Sequence, residues 1–197
     1  MRRTLTMVLV LVLVANTTIP PINAQQPDII QEHWYHSYAT LTLDVNEWAD
    51  NNPDIVKLLS VGQTELGREI WMLQISDWSQ ENKSDGMVKD VAYIDAGHHG
   101  NEHLGTELAF LTAEFYIEGW IEGKAEVIEV LRNTEIHILI MLNEDGNDFD
   151  TRWNVNQVDL NRNYEHYWNT CDSTQPGSSA FSESELSLIH ISEPTRL

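Results

Sequence analysis

Apolar and polar positions change rhythm several times along the chain, and each change marks an element. Residues 55–61 and 69–75 are apolar-rich stretches joined through Gly67, which predicts a β-hairpin. In the second stretch Ile70, Met72 and Ile75 alternate only loosely with polar neighbours, so burial on both faces is expected. Residues 91–94 form a short apolar run that reads as a buried strand, and residues 136–142 a longer, unbroken one that reads as an interior parallel strand. Between them the period lengthens. Leu104, Leu108, Leu111 and Phe115 recur at helical spacing, which predicts an amphipathic helix over 102–120 with these four on one face, and a shorter helix follows over 125–131. Upstream, 28–39 and 43–51 read as two short helices, the second stopped at Asn51-Asn52-Pro53. The pattern predicts an α/β fold with the 91–94 and 136–142 strands side by side in the interior of its sheet and the long helix packed on one face.

The first 24 residues stand apart. Arg2 and Arg3 precede an apolar run, 7–15, too short to span a bilayer, and Ile22-Asn23-Ala24 ends on a small residue. This is the pattern of a secretory signal peptide cleaved near Ala24, so a secreted, extracellular protein is expected, with no membrane attachment after cleavage. Cleavage removes two arginines and no acid, taking the formal net charge from −20 to −22. A surface so acidic repels nucleic acid and anionic membranes, and it favours a soluble chain, expected to be a monomer. Cys171 is the single cysteine and has no partner for an internal disulfide. No repeat or linker divides residues 25–186, which are long enough for one domain with a core of its own.

Candidate chemistry gathers where the 91–94 strand meets the long helix. Gly97 and Gly100 bracket His98 and His99, with Glu102 and His103 next. Strand ends meeting helix starts are where α/β folds collect ligands, and an imidazole and a carboxylate three residues apart can close on one zinc ion. A polar helix start with incidental histidines is the bland alternative, and H-x-x-E alone does not exclude it. His99 to His103 also spell H-x-x-E-H, the inverted zinc-protease motif with both histidines as ligands. His137, inside the 136–142 run, reads as a core histidine. After that run Asn143-Glu144-Asp145-Gly146 is a turn, and residues 148–163 then bring Arg152, Asp159, Asn161 and Arg162 into one polar loop. A guanidinium there can grip a carboxylate or steady an oxyanion; it can equally pair with the abundant surface acids.

In order along the chain, Ser60-Val61-Gly62, Gly67-Arg68-Glu69-Ile70, His99-Gly100-Asn101-Glu102, the turn at 143–146, Arg152, Val158-Asp159-Leu160-Asn161-Arg162-Asn163-Tyr164, Pro176-Gly177 and residues 181–185 together resemble the zinc metallocarboxypeptidase family. The resemblance implies an α/β fold with a mixed, largely parallel sheet and helices on both faces. It implies one Zn2+ ion, with His99 and Glu102 as two of its ligands and Asp159 as the acid that orients His99. It also implies that Arg152 polarises the scissile carbonyl, and that Asn161 and Arg162 hold the substrate's terminal carboxylate. The substrates implied are peptide or protein C-termini, trimmed one residue at a time.

The sequence departs from that family in three places. Glu144 stands where proline is usual, Asn101 stands where many digestive-type members carry arginine, and the third zinc ligand and general-base glutamate expected further along are missing. Residues 186–196, LSLIHISEPTR, match letter for letter the translation of a transposase-type sequencing adapter. The chain is therefore expected to be the front part of a catalytic domain over 25–186, followed by a non-native tail over 187–197. Two other readings stay open: an aspartoacylase or succinylglutamate desuccinylase-like zinc amidohydrolase, and a non-catalytic carboxylate-binding relative.

Overall fold

The computed structural model describes residues 35–166, 168–170 and 174–187. The signal-peptide stretch, most of the 28–39 helix expectation, Cys171 and residues 188–197 lie outside the described residues. Strands β1 (Val56–Gln63) and β2 (Glu69–Ile75) form the expected antiparallel hairpin, with a register shift between Ser60 and Gly62. Gly67 turns it at φ 78°, in the left-handed region where a Cβ is strained. Strand β3 (Asp90–Asp95) and strand β4 (Thr134–Leu139) lie side by side in parallel, Ala92 opposite Ile136 and Ile94 opposite Ile138. Strand β4 also pairs antiparallel with β2, which sets the order β1-β2-β4-β3. The sheet is mixed, as expected, but its parallel share is smaller than "largely parallel", being the β3–β4 pairing alone among the described residues. A short turn between consecutive strands permits only an antiparallel pair, whereas parallel strands need a long crossover.

That crossover holds helices α2 (His103–Ile121) and α3 (Ala125–Asn133). Ahead of the sheet, helix α1 (Tyr38–Asn51) is one unbroken helix rather than two with a gap at 40–42. Ser37 and Thr40 cap each other reciprocally at its start, and Thr42 is held inside it by the Trp71 indole N–H at 3.1 Å. All three helices bury residues in one core layer, with Leu41 and Val45, Phe110 and Ile117, and Val127 and Leu131 facing Leu73, Ile75, Ile136 and Ile138 of the sheet. The opposite layer joins Ile70, Met72 and Leu139 to Leu142, Leu160 and Leu186. It is covered by loops and short turns instead of long helices.

Two expectations about burial are corrected. Helix α2 buries Thr106, Ala109, Phe110, Ala113, Ile117 and Gly119, while Leu104, Leu108, Leu111 and Phe115 are 65, 57, 52 and 51 % exposed. The helix is apolar around most of its circumference, so periodicity could not choose a side; the sheet takes the side with small residues, where backbones approach closely. The 91–94 strand is not buried either: Ala92 is exposed, and Val91, Tyr93 and Ile94 are half-buried, because β3 is the edge of the described sheet. By contrast 136–142 is buried almost throughout, with His137 8 % exposed and its Nε2 at 3.3 Å from Glu135.

Beyond β4 the chain turns into a short helix α4 (Glu144–Asp148), capped by the Asn143 side chain accepting from the Gly146 N–H. Glu144, at its first position, is fully buried, and neither carboxyl oxygen meets a hydrogen-bond donor of good geometry. Burial, reinforced by the neighbouring Asp145, pushes its carboxyl up to about 9 from 4.5. The folded chain therefore binds a proton that the unfolded chain has lost between these two values, and stability falls as pH climbs from about 4.5 toward about 9. Glu144→Gln is expected to flatten that slope and to stabilise the protein at pH 8 by at least about 1 kcal/mol. Denaturant midpoints of both proteins at pH 5.5 and pH 8 check this; an unchanged slope in the variant would exclude it.

Candidate functional site

The site is set by the parallel pair running on past its strand ends. Ala96 N donates to Leu139 O, Leu142 N to Ala96 O and Asn143 N to Gly97 O, all at 2.9–3.0 Å. Side chains tighten the same seam: Asn143 Nδ2 donates to His98 O at 3.1 Å, and Asn147 Nδ2 to Gly100 O at 3.4 Å. The glycines bracketing the histidines are required by this contact. Gly97 has φ 72°, and a Cβ on Gly100 would lie 2.0 Å from the Gly146 carbonyl carbon.

Held in that loop, His99 is 7 % exposed and both its ring nitrogens face acids. Nδ1 lies 3.0 Å from Glu102 Oε1, and Nε2 lies 3.0 Å from Asp159 Oδ1. Arg152 closes a ring, its Nε and Nη2 donating to Asp159 Oδ2 at 3.0 and 2.9 Å and its Nη1 to Glu102 Oε1 at 3.3 Å. Burial works to raise the Asp159 carboxyl, but His99 and Arg152 outweigh it and hold the group below its usual range. Asp159 also caps the 3-10 turn Leu160–Arg162, its Oδ1 accepting from Asn161 N at 3.1 Å. One carboxylate thus meets both the histidine and the turn that carries Asn161 and Arg162.

Two adjoining hollows meet at Asn161. A cleft of 680 Å³ is lined by His98, His99, Glu102 and Asn161, with Tyr35 and Leu108 at its apolar side. A second of 370 Å³ is lined by Asn161, Arg162 and Tyr164. Arg162 therefore opens into the neighbouring hollow rather than the His99 cleft, and among the described residues its guanidinium meets no carboxylate, donating instead to Asn161 O at 2.9 Å. His103 lines the cleft but turns away from Glu102: its Nε2 lies 3.1 Å from Asp150 and its Nδ1 accepts from Asn147. The arrangement the inverted motif requires, with His103 and Glu102 sharing a centre, is not what the side chains adopt.

An imidazole nitrogen and a carboxylate oxygen 3.0 Å apart fit two corners of a zinc site, whose donors at about 2.1 Å from the metal stand roughly 3.4 Å apart. Among the described residues no group of three or more His, Cys, Asp or Glu side chains converges to hold a metal ion. Residues 44–191 match the family model described as zinc carboxypeptidase. The chain belongs to that family.

Its curated relatives include the carboxypeptidase N catalytic chain of Rattus norvegicus, 30 % identical over 142 residues, which cover 66 % of this chain and 30 % of the relative. Carboxypeptidase E of Caenorhabditis elegans is 32 % identical over 142 residues, covering 66 % of this chain and 29 % of the relative. Among solved structures, carboxypeptidase A of Helicoverpa armigera superposes with TM-score 0.68 at 27 % identity, over 80 % of this chain and 42 % of that one. Thrombin activatable fibrinolysis inhibitor gives 0.71 at 19 % identity over 81 % and 44 %, a likeness of fold alone. The match spans about three-tenths of the length of these curated relatives. Within this family fold, the sequence reading gave no role to His98 or Tyr164, which face the two hollows; the histidine doublet was the available signal.

The Gly100 contact yields a paired test. Gly100→Ala drives a Cβ into the Gly146 backbone and is expected to cost more than about 2 kcal/mol, whereas Gly105→Ala, in α2 with nothing within 4 Å, gains roughly 0.5–1 kcal/mol. Thermal melts of both variants against the parent chain check it; equal effects would contradict the close approach.

Proposed function

We propose that this chain is the front part of the catalytic domain of a secreted zinc metallocarboxypeptidase that releases single C-terminal residues from peptides. The observation that carries this is His99, clamped at 3.0 Å on each ring nitrogen between Glu102 and Asp159. Asp159 holds Nε2, which leaves Nδ1 and the Glu102 carboxylate as the pair that would hold one zinc ion. When bound, zinc supplies a water acidic enough to act as nucleophile near neutral pH. Arg152, whose Nη1 donates to Glu102, would polarise the scissile carbonyl and stabilise its oxyanion. Asn161 and the guanidinium of Arg162, which meets no acid among the described residues, would take the terminal carboxylate in the adjoining hollow. A grip on that carboxylate beside the attack point confines cleavage to the last peptide bond.

Two observations support the reading that the domain continues. Leu104, Leu108, Leu111 and Phe115 present an apolar face on α2, and among the described residues β3 is left as a sheet edge. The third ligand and the general base would then come from residues past 186, with 187–197 a non-native tail. Export is supported by the charged, short apolar start over 1–24; no described helix is long and apolar enough to cross a membrane.

The test is a zinc titration with a peptidase assay. The chain should bind zinc weakly, lose that binding in His99→Ala, and show no useful turnover, since the absent base alone is worth roughly a hundred- to ten-thousand-fold. The parent gene, read past Leu186, should encode a histidine and then a glutamate, and its product should release single residues from free but not blocked C-termini. Zinc-dependent turnover by the chain itself, abolished by His190→Ala, would overturn both the tail and the incomplete ligand set. Secreted product should begin near Gln25 by N-terminal sequencing; an intact Met1 on a membrane-embedded protein would overturn export.

A further inference from the structure

His98 and Tyr164 form a contact that neither the metal pair nor the carboxylate pair requires. His98 Nε2 lies 2.6 Å from the Tyr164 hydroxyl, the rings 5.8 Å apart and tilted by 38°. The same nitrogen is 3.9 Å from Asp95 Oδ2, too far for a hydrogen bond. Each partner is braced from behind. Asn143 Nδ2 holds the His98 carbonyl, and the Tyr164 ring packs edge-on against Phe181 at 6.0 Å. Their positions in the chain give the contact its meaning. His98 immediately precedes His99 and lines the cleft, while Tyr164 follows Arg162 by two residues and lines the hollow that Asn161 and Arg162 share. The bond crosses from the β3 loop to the residue two past the 3-10 turn, joining the lining of one hollow to that of the other.

We infer that His98 and Tyr164 are positioning residues, whose hydrogen bond sets the distance between the His99–Glu102 pair and the carboxylate grip of Asn161 and Arg162. The inference rests on the proposed reading of that grip. An exopeptidase needs the spacing between attack point and terminal carboxylate fixed to a fraction of an ångström, and a misplacement of about 1 Å can cost a hundredfold in rate. Asp159 ties His99 to the start of the turn; the His98–Tyr164 bond ties the same loop to its end, giving two fixed points instead of one. Two apolar rings would pack there equally well but would define no distance. A polar pair, costly to desolvate alone, is stable in one geometry.

The experiment uses the full chain, 15N-labelled, titrated with an N-acetylated dipeptide bearing either a free C-terminal carboxylate or the C-terminal amide, with shifts read at Asn161 and Arg162. The parent chain should prefer the acid. Tyr164→Phe, which keeps the ring on Phe181, and His98→Leu should each cut that preference about five- to tenfold, while His98→Gln, which can still meet the hydroxyl, should restore most of it. A purely structural role would lower the melting temperature and leave the acid-over-amide ratio unchanged. Undiminished preference in Tyr164→Phe and His98→Leu would overturn the positioning role alone. No preference in the parent chain would overturn the grip itself, and the inference with it. If either variant fails to give a folded spectrum, the other reads the same bond from its opposite end.

Discussion

The backbone seam between the β3 loop and the start of α4 governs the rest of the molecule. Parallel strands carry their ends to the same edge of a sheet, and here the pairing does not stop with the strands: three further backbone hydrogen bonds carry it to Asn143. The loop with His99 is thereby laid against α4, so closely that Gly100 and Gly146 leave no room for a side chain between them. A histidine on a loop would ordinarily sample several orientations. This one sits on backbone that the sheet itself extends, and its ring is then fixed by carboxylates on either side.

Charge organises the second half of the site. Asp159 is buried and would be costly alone, yet it accepts from His99, Arg152 and the Asn161 N–H at once. A buried carboxylate with that many donors stays ionised and acts as a hinge pin for everything it touches. Glu144, the residue next to Asn143 at the end of the same seam, shows the opposite outcome. With no donor of good geometry and an acid beside it, its carboxyl keeps the proton instead. Burial is common to both; the donors decide.

Much of this was legible in the sequence, and two of the failures share a cause. The hairpin, the parallel pair and the His99–Glu102–Asp159 relation follow from local signals: turn glycines, continuous apolar runs, and motif spacing carried by a family resemblance. What was misread depended on which neighbour an apolar surface meets. Leu104, Leu108, Leu111 and Phe115 have the spacing of a buried face and lie on the outside, because α2 has a second, smaller-residue face that lets the sheet approach. The 91–94 run has the composition of an interior strand and stands at an edge of the sheet among the described residues. Periodicity states how many faces are apolar; it does not state the order in which they are covered. The break expected between 39 and 43 failed for a local reason, since the cap at Ser37 and Thr40 begins the helix earlier than its apolar pattern does.

The three arginines near the seam show why charge counting could not have assigned them. With 31 acids against 11 basic side chains, each arginine had an acidic partner as its default expectation. Arg68 meets it, bonded to Asp145 at 2.6 Å and to Asp148, and so ties the hairpin turn to α4. Arg152 meets it differently, dividing its donors between Asp159 and Glu102, the two acids that flank His99. Arg162 has no carboxylate among the described residues and faces a hollow. Long-range repulsion of an anion by so acidic a surface fades within a Debye length of about 8 Å at physiological salt. Inside that distance the local group decides, and the guanidinium left without an acid is the one able to hold an anion. The net charge therefore does not weigh against a carboxylate site; it makes the one arginine that escapes pairing among the described residues the informative one.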